Sequence, residues 1–424
     1  MSSSLTTLPS GLRIVTDRFD GVASVSLGVW VGVGTRHEPA PVNGVSHLLE
    51  HMAFKGTARR GPIDIAMEME NVGGHLNAYT SREQTAYYAK VLAEDVDTGL
   101  DIIQDILQHS TFPADELERE RTVILQEIGQ ALDQPEDVVF DAFQEVAYPD
   151  QAVGRTVLGD PEIIRTMPRD AVVDYMASRY RASDMVIAAS GALDADAFRD
   201  KAAEAFAGLG LGHGPAAEGA RYIGGESRLE RDLEQVHLLV GFEGLSYHDP
   251  DFFAGQVLST LYGGGMSSRL FTEVREKRGL VYSIYSFSSG MDDGGIFGAY
   301  AGTGPEEVDE VLGITLDQLA LVGEDASEEE VRRARAQLKA SLLMSRESTS
   351  SRAEQAATQT LLYGQPRSPE DTVALIEAVD VDAVRRVARR LITRPMTLAA
   401  IGPVERMMSY DTLSARIGTP KPGA

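Results

Sequence analysis

Five residues in two stretches of the chain could do hydrolytic chemistry together. In NGVSHLLEHMAFKGT, residues 43–57, His47 and His51 stand four apart and Glu50 precedes the second. On a helix, positions i and i+4 share a face about one turn apart, so two imidazoles at that spacing can reach one ion. Glu50 can point at the same place without joining the ligands. This HxxEH order reverses the HExxH zinc motif and supports the same chemistry. Two histidines hold Zn2+, and the glutamate takes a proton from the water that the metal activates. Such a centre needs a third protein ligand and one open position. The periodic stretch ADELERERTVILQEIGQALDQ, residues 114–134, offers Glu127. Glu120 lies two turns earlier on that face, placed to hydrogen-bond a ligand histidine. The chain has eight histidines and no cysteine, so thiolate ligands, disulfides and cysteine nucleophiles are excluded. The plainer alternative is a pair of solvent-facing histidines on an amphipathic helix.

The elements that must position these residues repeat. VSLGVWV (25–31) alternates as a half-buried strand does, and VHLLVGF (236–242) does the same 211 residues later. SDMVIAASGAL (183–193) runs from a polar turn into an apolar strand and a glycine, and TRPMTLAAIGPV (393–404) repeats it. Gly191 and Gly402 are again 211 residues apart. Two anchors with one offset, in a chain of about twice that length, argue for a duplicated domain. The expected division is a metal-binding domain over 1–212, a Gly/Ala/Pro-rich linker over 213–227 and a second copy over 228–424. Helices and strands do not alternate strictly, which favours α+β with an antiparallel sheet in each copy. The stretch 114–134 reads as a helix with Leu117, Val123, Ile124, Ile128 and Leu132 near one face. Shifting by 211 puts His47 on Leu258, Glu50 on Leu261, His51 on Tyr262, Glu120 on Val331 and Glu127 on Leu338. In that register the polar set belongs to one copy only.

Composition narrows the partners. The chain of 424 residues is 43% hydrophobic and 24% charged, with a net charge of -25. That balance disfavours nucleic acid and anionic membrane and favours basic substrates. No secretory signal, transit peptide or membrane-length apolar run is visible, so a cytoplasmic, bacterial protein is expected.

The motifs resemble those of the pitrilysin/insulinase (inverzincin) metallopeptidases, most of all the branch of processing-peptidase β subunits and short bacterial relatives. The resemblance rests on HLLEH (47–51) followed by MAFKGT, GGHLNAYTSREQTAYYAK (73–90), ERTVILQEI (120–128), VGRTVLGD (153–160) and GGGMSSRLFTEVREKRGLVYSIYS (263–286). It implies two homologous α/β-roll domains, each an antiparallel sheet with helices packed on one face. It implies His47, His51 and Glu127 as ligands of one Zn2+ per chain, Glu50 as general base and Glu120 as an additional glutamate of the metal-binding helix. HLNAYTS resembles the edge strand on which relatives bind substrate backbone, which places Asn77, Ala78 and Tyr79 there. Arg275 and Tyr282 match an Arg–Tyr pair that relatives bring to the active site from the far domain, where the tyrosine can donate to a developing oxyanion. Asp137 and Asp141, i and i+4 on a helix, match acidic positions that recognise arginine near the cut. Because relatives enclose peptide in a chamber of four such domains, the resemblance implies a homodimer, or a pair with a related subunit. The expected function is a zinc-dependent endopeptidase acting on short or unfolded, basic peptides. The alternative is a non-catalytic partner or scaffold subunit of a peptidase-like complex.

Overall fold

The structure, a computed structural model, describes residues 3–420 and Pro422. Two compact units divide the chain. The first takes the chain up to Gly129, then Arg155–Glu218 and Leu343–Ser368; the second takes Gln130–Gly154, Gly219–Leu342 and the chain from Pro369. The linear halves expected on either side of 213–227 are therefore not the packing units, because each unit borrows one helix from the other half of the sequence. No helix among the described residues is long and apolar enough to cross a membrane.

The first unit is built on six strands: β1 (Ser4–Thr7), β2 (Arg13–Arg18), β3 (Ser24–Val31), β4 (His75–Thr80), β5 (Thr85–Leu92) and β6 (Met185–Gly191). Their order is β1-β2-β6-β3-β5-β4, with only β2 and β6 parallel. Period-two alternation sorts the side chains. Val25, Leu27, Val29 and Val31 enter the main core with Leu48, Leu49 and Met52 of the helix Val45–Ala53. Each such residue, fully buried, stabilises by roughly 1.5–3 kcal/mol. Trp30, Val186 and Ala188 point to the other face, where Ala353, Ala356 and Ala357 of the borrowed helix Thr349–Tyr363 pack on them. Small side chains let that helix lie close. A buried Arg352–Asp17 pair at 2.7 Å and a Ser26–Thr349 hydroxyl pair at 2.8 Å fix its position along the sheet.

The second unit repeats the plan with β7 (Gly225–Glu230), β8 (Val236–Glu243), β9 (Val281–Gly290), β10 (Gly295–Thr303) and β11 (Thr397–Gly402), ordered β7-β11-β8-β10-β9. Only β7 and β11 are parallel. Val236, Leu238, Val240 and Phe242 face the helical layer. Leu239, Ala399 and Ile401 face the borrowed helix Pro135–Ala147, which buries Val139 and Phe143 on them. The α+β class with two like units thus holds, and each sheet also carries one helix on its second face.

The duplication is visible atom by atom. Gly191 and Gly402 adopt φ of +137° and +130°. A Cβ on either would lie 2.2 Å from the Ser24 carbonyl oxygen or 2.4 Å from that of Gln235. Ser24 and Gln235 are themselves 211 residues apart. The same strand ending therefore excludes a side chain twice, by conformation and by space. Two local expectations change. Residues 225–227 belong to β7 rather than to the linker; paired on one side only and largely solvated, β7 lacks the apolar alternation that marks a strand. In the helix Ala114–Leu132 the buried stripe is Leu117, Glu120, Ile124 and Ile128, whereas Val123 and Leu132 are exposed. At 100° per residue, position 123 rotates off that face, whereas Leu132, one turn past Ile128, is exposed at the last residue of the helix; the buried place between Leu117 and Ile124 goes to a glutamate.

Candidate metal centre

The helix Val45–Ala53 begins at Gly44, whose left-handed φ of +93° a side chain would strain and whose Cβ would meet Ile164 and Gly159 at 2.7 and 2.8 Å. Glycine has no side chain to cap the helix. Glu38 does so instead, accepting from the backbone N–H of Gly44 and Ser46 at 2.8 Å each and from Asn43 Nδ2 at 2.9 Å. A carboxylate at a helix N-terminus also meets the positive end of the helix dipole. Burial raises the Glu38 pKa, and the hydrogen bonds oppose that rise.

With Val45, Leu48, Leu49 and Met52 committed to the core, His47, Glu50 and His51 turn to another face. Nε2 of His47 and Nε2 of His51 lie 3.2 Å apart, and Glu127 Oε2 lies 3.6 Å from each. A tetrahedral ion with bonds of ~2.0–2.1 Å has ligand–ligand edges of about 3.3 Å, so the three atoms form one face of such a site. They are the one His/Cys/Asp/Glu cluster of ligand spacing found among the described residues. The tautomers agree. His51 Nδ1 is 2.9 Å from Glu120 Oε2, a carboxylate that can only accept, so the proton sits on Nδ1 and the Nε2 lone pair faces His47. A cation between the two Nε2 atoms satisfies both. His47 Nδ1 is buried without a hydrogen-bond partner; the Leu158 backbone is near enough to favour its protonation but is not in hydrogen-bond geometry. Burial, then the neighbouring His51, pulls the His47 pKa down to about 4, which keeps the ring a neutral donor.

Glu50 is half-buried and accepts a hydrogen bond from Thr80 Oγ1 at 2.6 Å. Its pKa is raised, first by burial and also by the Glu127 charge, while Thr80 and His51 work the other way. A carboxylate so placed, close enough to feel His51 and Glu127 but outside the ligand triangle, is suited to take up a proton.

β4 is an edge strand, as expected of HLNAYTS, and pairs only with β5. Ala78 and Thr80 face the side of the histidine helix, whereas Tyr79 packs on the opposite face and donates from its hydroxyl to Glu354 Oε1 at 3.0 Å. The Ala78 N–H turns away from β5 and donates to Asn77 Oδ1 at 2.8 Å. Asn77 therefore covers the backbone donor that an incoming strand would use.

The remaining expected residues lie in the second unit. Arg275 stacks between the Phe271 and Tyr282 rings, with Cζ 4.8 and 5.4 Å from their centroids, so the Arg–Tyr pair is formed. Tyr282 is 79% exposed at the start of the edge strand β9. Asp137 is exposed in the first turn of the helix Pro135–Ala147, and Asp141 is half-buried one turn on. Three residues that support the centre escaped the sequence reading. Lys55 Nζ is 2.7 Å from Glu120 Oε1, Thr80 holds Glu50, and Glu38 caps the histidine helix. Lys55 and Thr80 stand inside quoted motifs, four residues after His51 and two after Ala78, so spacing was an available signal. Glu38 had none, because an aperiodic turn brings it back.

Comparison with known proteins adds a family. Residues 13–161 match the family model of the insulinases, peptidase family M16, and residues 166–338 match the peptidase M16 inactive domain. An uncharacterized zinc protease of Streptomyces coelicolor is 40% identical, over 94% of this chain and 89% of that protein. The mitochondrial-processing peptidase subunit beta of Lentinula edodes is 36% identical, over 96% of this chain and 92% of that protein. Among solved structures, a peptidase M16 inactive domain from Pseudomonas fluorescens superposes with a TM-score of 0.89 at 22% identity, covering 96% of this chain and 99% of that one.

Proposed function

The chain belongs to peptidase family M16, and from that premise we propose that it is a zinc-dependent endopeptidase. The observation that carries this reading is the triangle of His47, His51 and Glu127 with Glu50 beside it and outside it. Zinc held there would polarise the scissile carbonyl and acidify a water. Glu50 takes the proton of the attacking water and passes it to the leaving amine. Glu120 holds the His51 ring in the tautomer that presents Nε2. The outward backbone of Ala78 pairs with an extended peptide once Asn77 releases the N–H. Backbone pairing reads little side-chain sequence, so short or unfolded peptides are the fitting substrates, and the acidic chain favours basic ones.

The same reading extends to a homodimer. Arg275 and Tyr282 of one copy act on substrate bound at the metal of the other, and the site needs both. Asp137 and Asp141 take an arginine close to the scissile bond. Glu50→Gln tests the central step. It should retain zinc and lose at least the ~10²–10⁴-fold that a general acid–base group contributes. A variant that cleaves peptides at the wild-type rate would remove Glu50 from its role.

A further inference from the structure

Resting on the metal-centre reading above, the structure assigns Lys55 as a positioning residue of the centre, acting through Glu120 on the His51 ring. Glu120 has two carboxylate oxygens, and each has a different partner. Oε2 accepts from His51 Nδ1 at 2.9 Å and Oε1 accepts from Lys55 Nζ at 2.7 Å. With both oxygens held, the carboxylate cannot rotate about its axis or swing toward the ligand triangle. Its side chain is 7% exposed and that of Lys55 26%. In such surroundings the ammonium keeps the carboxylate oriented, and removing Lys55 leaves one buried Glu120 oxygen without its ion-pair partner.

The loop that carries Lys55 is itself fastened. Thr57 forms a β-bridge with Ser110, and the Gly56 carbonyl accepts from Thr111 N at 3.0 Å. Arg60, nearly buried, pairs with Asp105 at 2.7 Å and Asp101 at 2.5 Å. The ammonium is therefore delivered to Glu120 by a rigid turn rather than by a mobile side chain alone. The second unit supplies an internal control. At the 211-residue offset, Lys55, Glu120 and His51 become Met266, Val331 and Tyr262. Met266 is 79% exposed. At that sequence offset none of the three polar residues is repeated.

The test measures metal rather than catalysis. Zinc affinity of the full-length protein is determined by competition with a chelator for wild type, Lys55→Met, Lys55→Gln, Lys55→Arg and His51→Ala. Partners behind a ligand histidine typically change metal affinity 10–100-fold. Lys55→Met and Lys55→Gln should both weaken zinc binding within that range, and Lys55→Arg should recover most of the loss. In the metal-free protein, 15N spectra of the histidine rings should show the His51 proton on Nδ1 in wild type and Lys55→Arg. In the two neutral variants the ring should populate both tautomers. A role in stability alone would lower the melting temperature and leave the tautomer unchanged, which would overturn the assignment. Wild-type zinc affinity in Lys55→Gln, with zinc lost from His51→Ala, would also overturn it while leaving the metal centre standing. Zinc retained by His51→Ala would instead remove the centre on which both readings depend.

Discussion

Apart from β1, which only the first sheet has, the two units run the same strand order, and at the 211-residue sequence offset the histidine pair of the first falls on leucine and tyrosine in the second. Leu258, Leu261 and Tyr262 are buried in the second core, and the Tyr262 hydroxyl donates to the Thr315 carbonyl at 2.7 Å. Val331 is buried and Leu338 packs on the same core. The fold is thus complete with apolar residues at every one of these positions. In the first unit the polar set leaves His47 Nδ1 buried and unpartnered, an arrangement that costs about 1–3 kcal/mol.

Exchanging the residues between copies should break this comparison most sharply. His47→Leu/His51→Tyr should reduce bound zinc from one ion per chain to none by elemental analysis. Its unfolding free energy should equal or exceed that of the metal-free wild type, since the unpartnered nitrogen is gone. Full metal retention would show that the ligands lie elsewhere.

The second unit's own polar pair provides the next test. Arg275→Ala/Tyr282→Phe should keep its zinc and lose roughly 10²–10³-fold in kcat, the range for a removed oxyanion donor. On the homodimer proposed above, mixing it with Glu50→Gln protomers should restore activity, because one of the two sites in the mixed dimer would be intact. Absence of rescue after verified subunit exchange would mean that each chain builds its site alone.

A third contrast concerns histidines at equivalent positions. His37 is half-buried, accepts from the Gly34 N–H at 3.1 Å and has its pKa lowered to about 4, chiefly by burial and then by the Arg179 and Arg36 charges. His248 stands 211 residues on, exposed, 2.7 Å from Asp292. The folded pKa of His37 is below the unfolded value of 6.5, so the unfolded chain binds the extra proton first. The stability tied to His37 is fully present above that value and is lost as pH falls from 6.5 toward 4. At ~1.4 kcal/mol per pH unit the loss is about 3 kcal/mol. His37→Gln should flatten this limb in urea titrations across that window, and His248→Gln should leave it in place. Identical limbs in wild type and His37→Gln would exclude His37 as its source.

The smallest effect should come from the helix lent to the second unit. Two peptides differing only by Arg→Ala two residues before the cut should differ by about 10- to 150-fold in kcat/KM, the equivalent of ~1.5–3 kcal/mol for a charge-assisted pair. Asp137→Asn/Asp141→Asn should cleave both alike. Equal rates with the wild type would reduce the two aspartates to a solvated face and a favourable helix N-terminus.

What could be read directly was whatever local geometry encodes. A spacing of four on a helix becomes one face whatever surrounds it, so His47, His51, Glu120 and Glu127 were legible as a set, and so was the alternation of β3 and β8. The ends and exceptions were not. β7 is largely solvated and pairs on one side only, so its residues carry no alternation and read as linker. Val123 and Leu132 are apolar yet exposed, and hydrophobicity alone could not tell them from Ile124 and Ile128.

Sequence alone determined the duplication, the candidate ligand set and the order of the motif, because these follow from residue identity and the period of the backbone. Tertiary structure alone decided which helix covers which sheet, since Thr349–Tyr363 and Pro135–Ala147 each pack on strands from the opposite half of the chain. It also decided that Lys55 meets Glu120, that Thr80 meets Glu50 and that Glu38 caps a helix six residues away. Such contacts join separate elements through turns of no fixed period, and their geometry exists only once the cores on either side have closed.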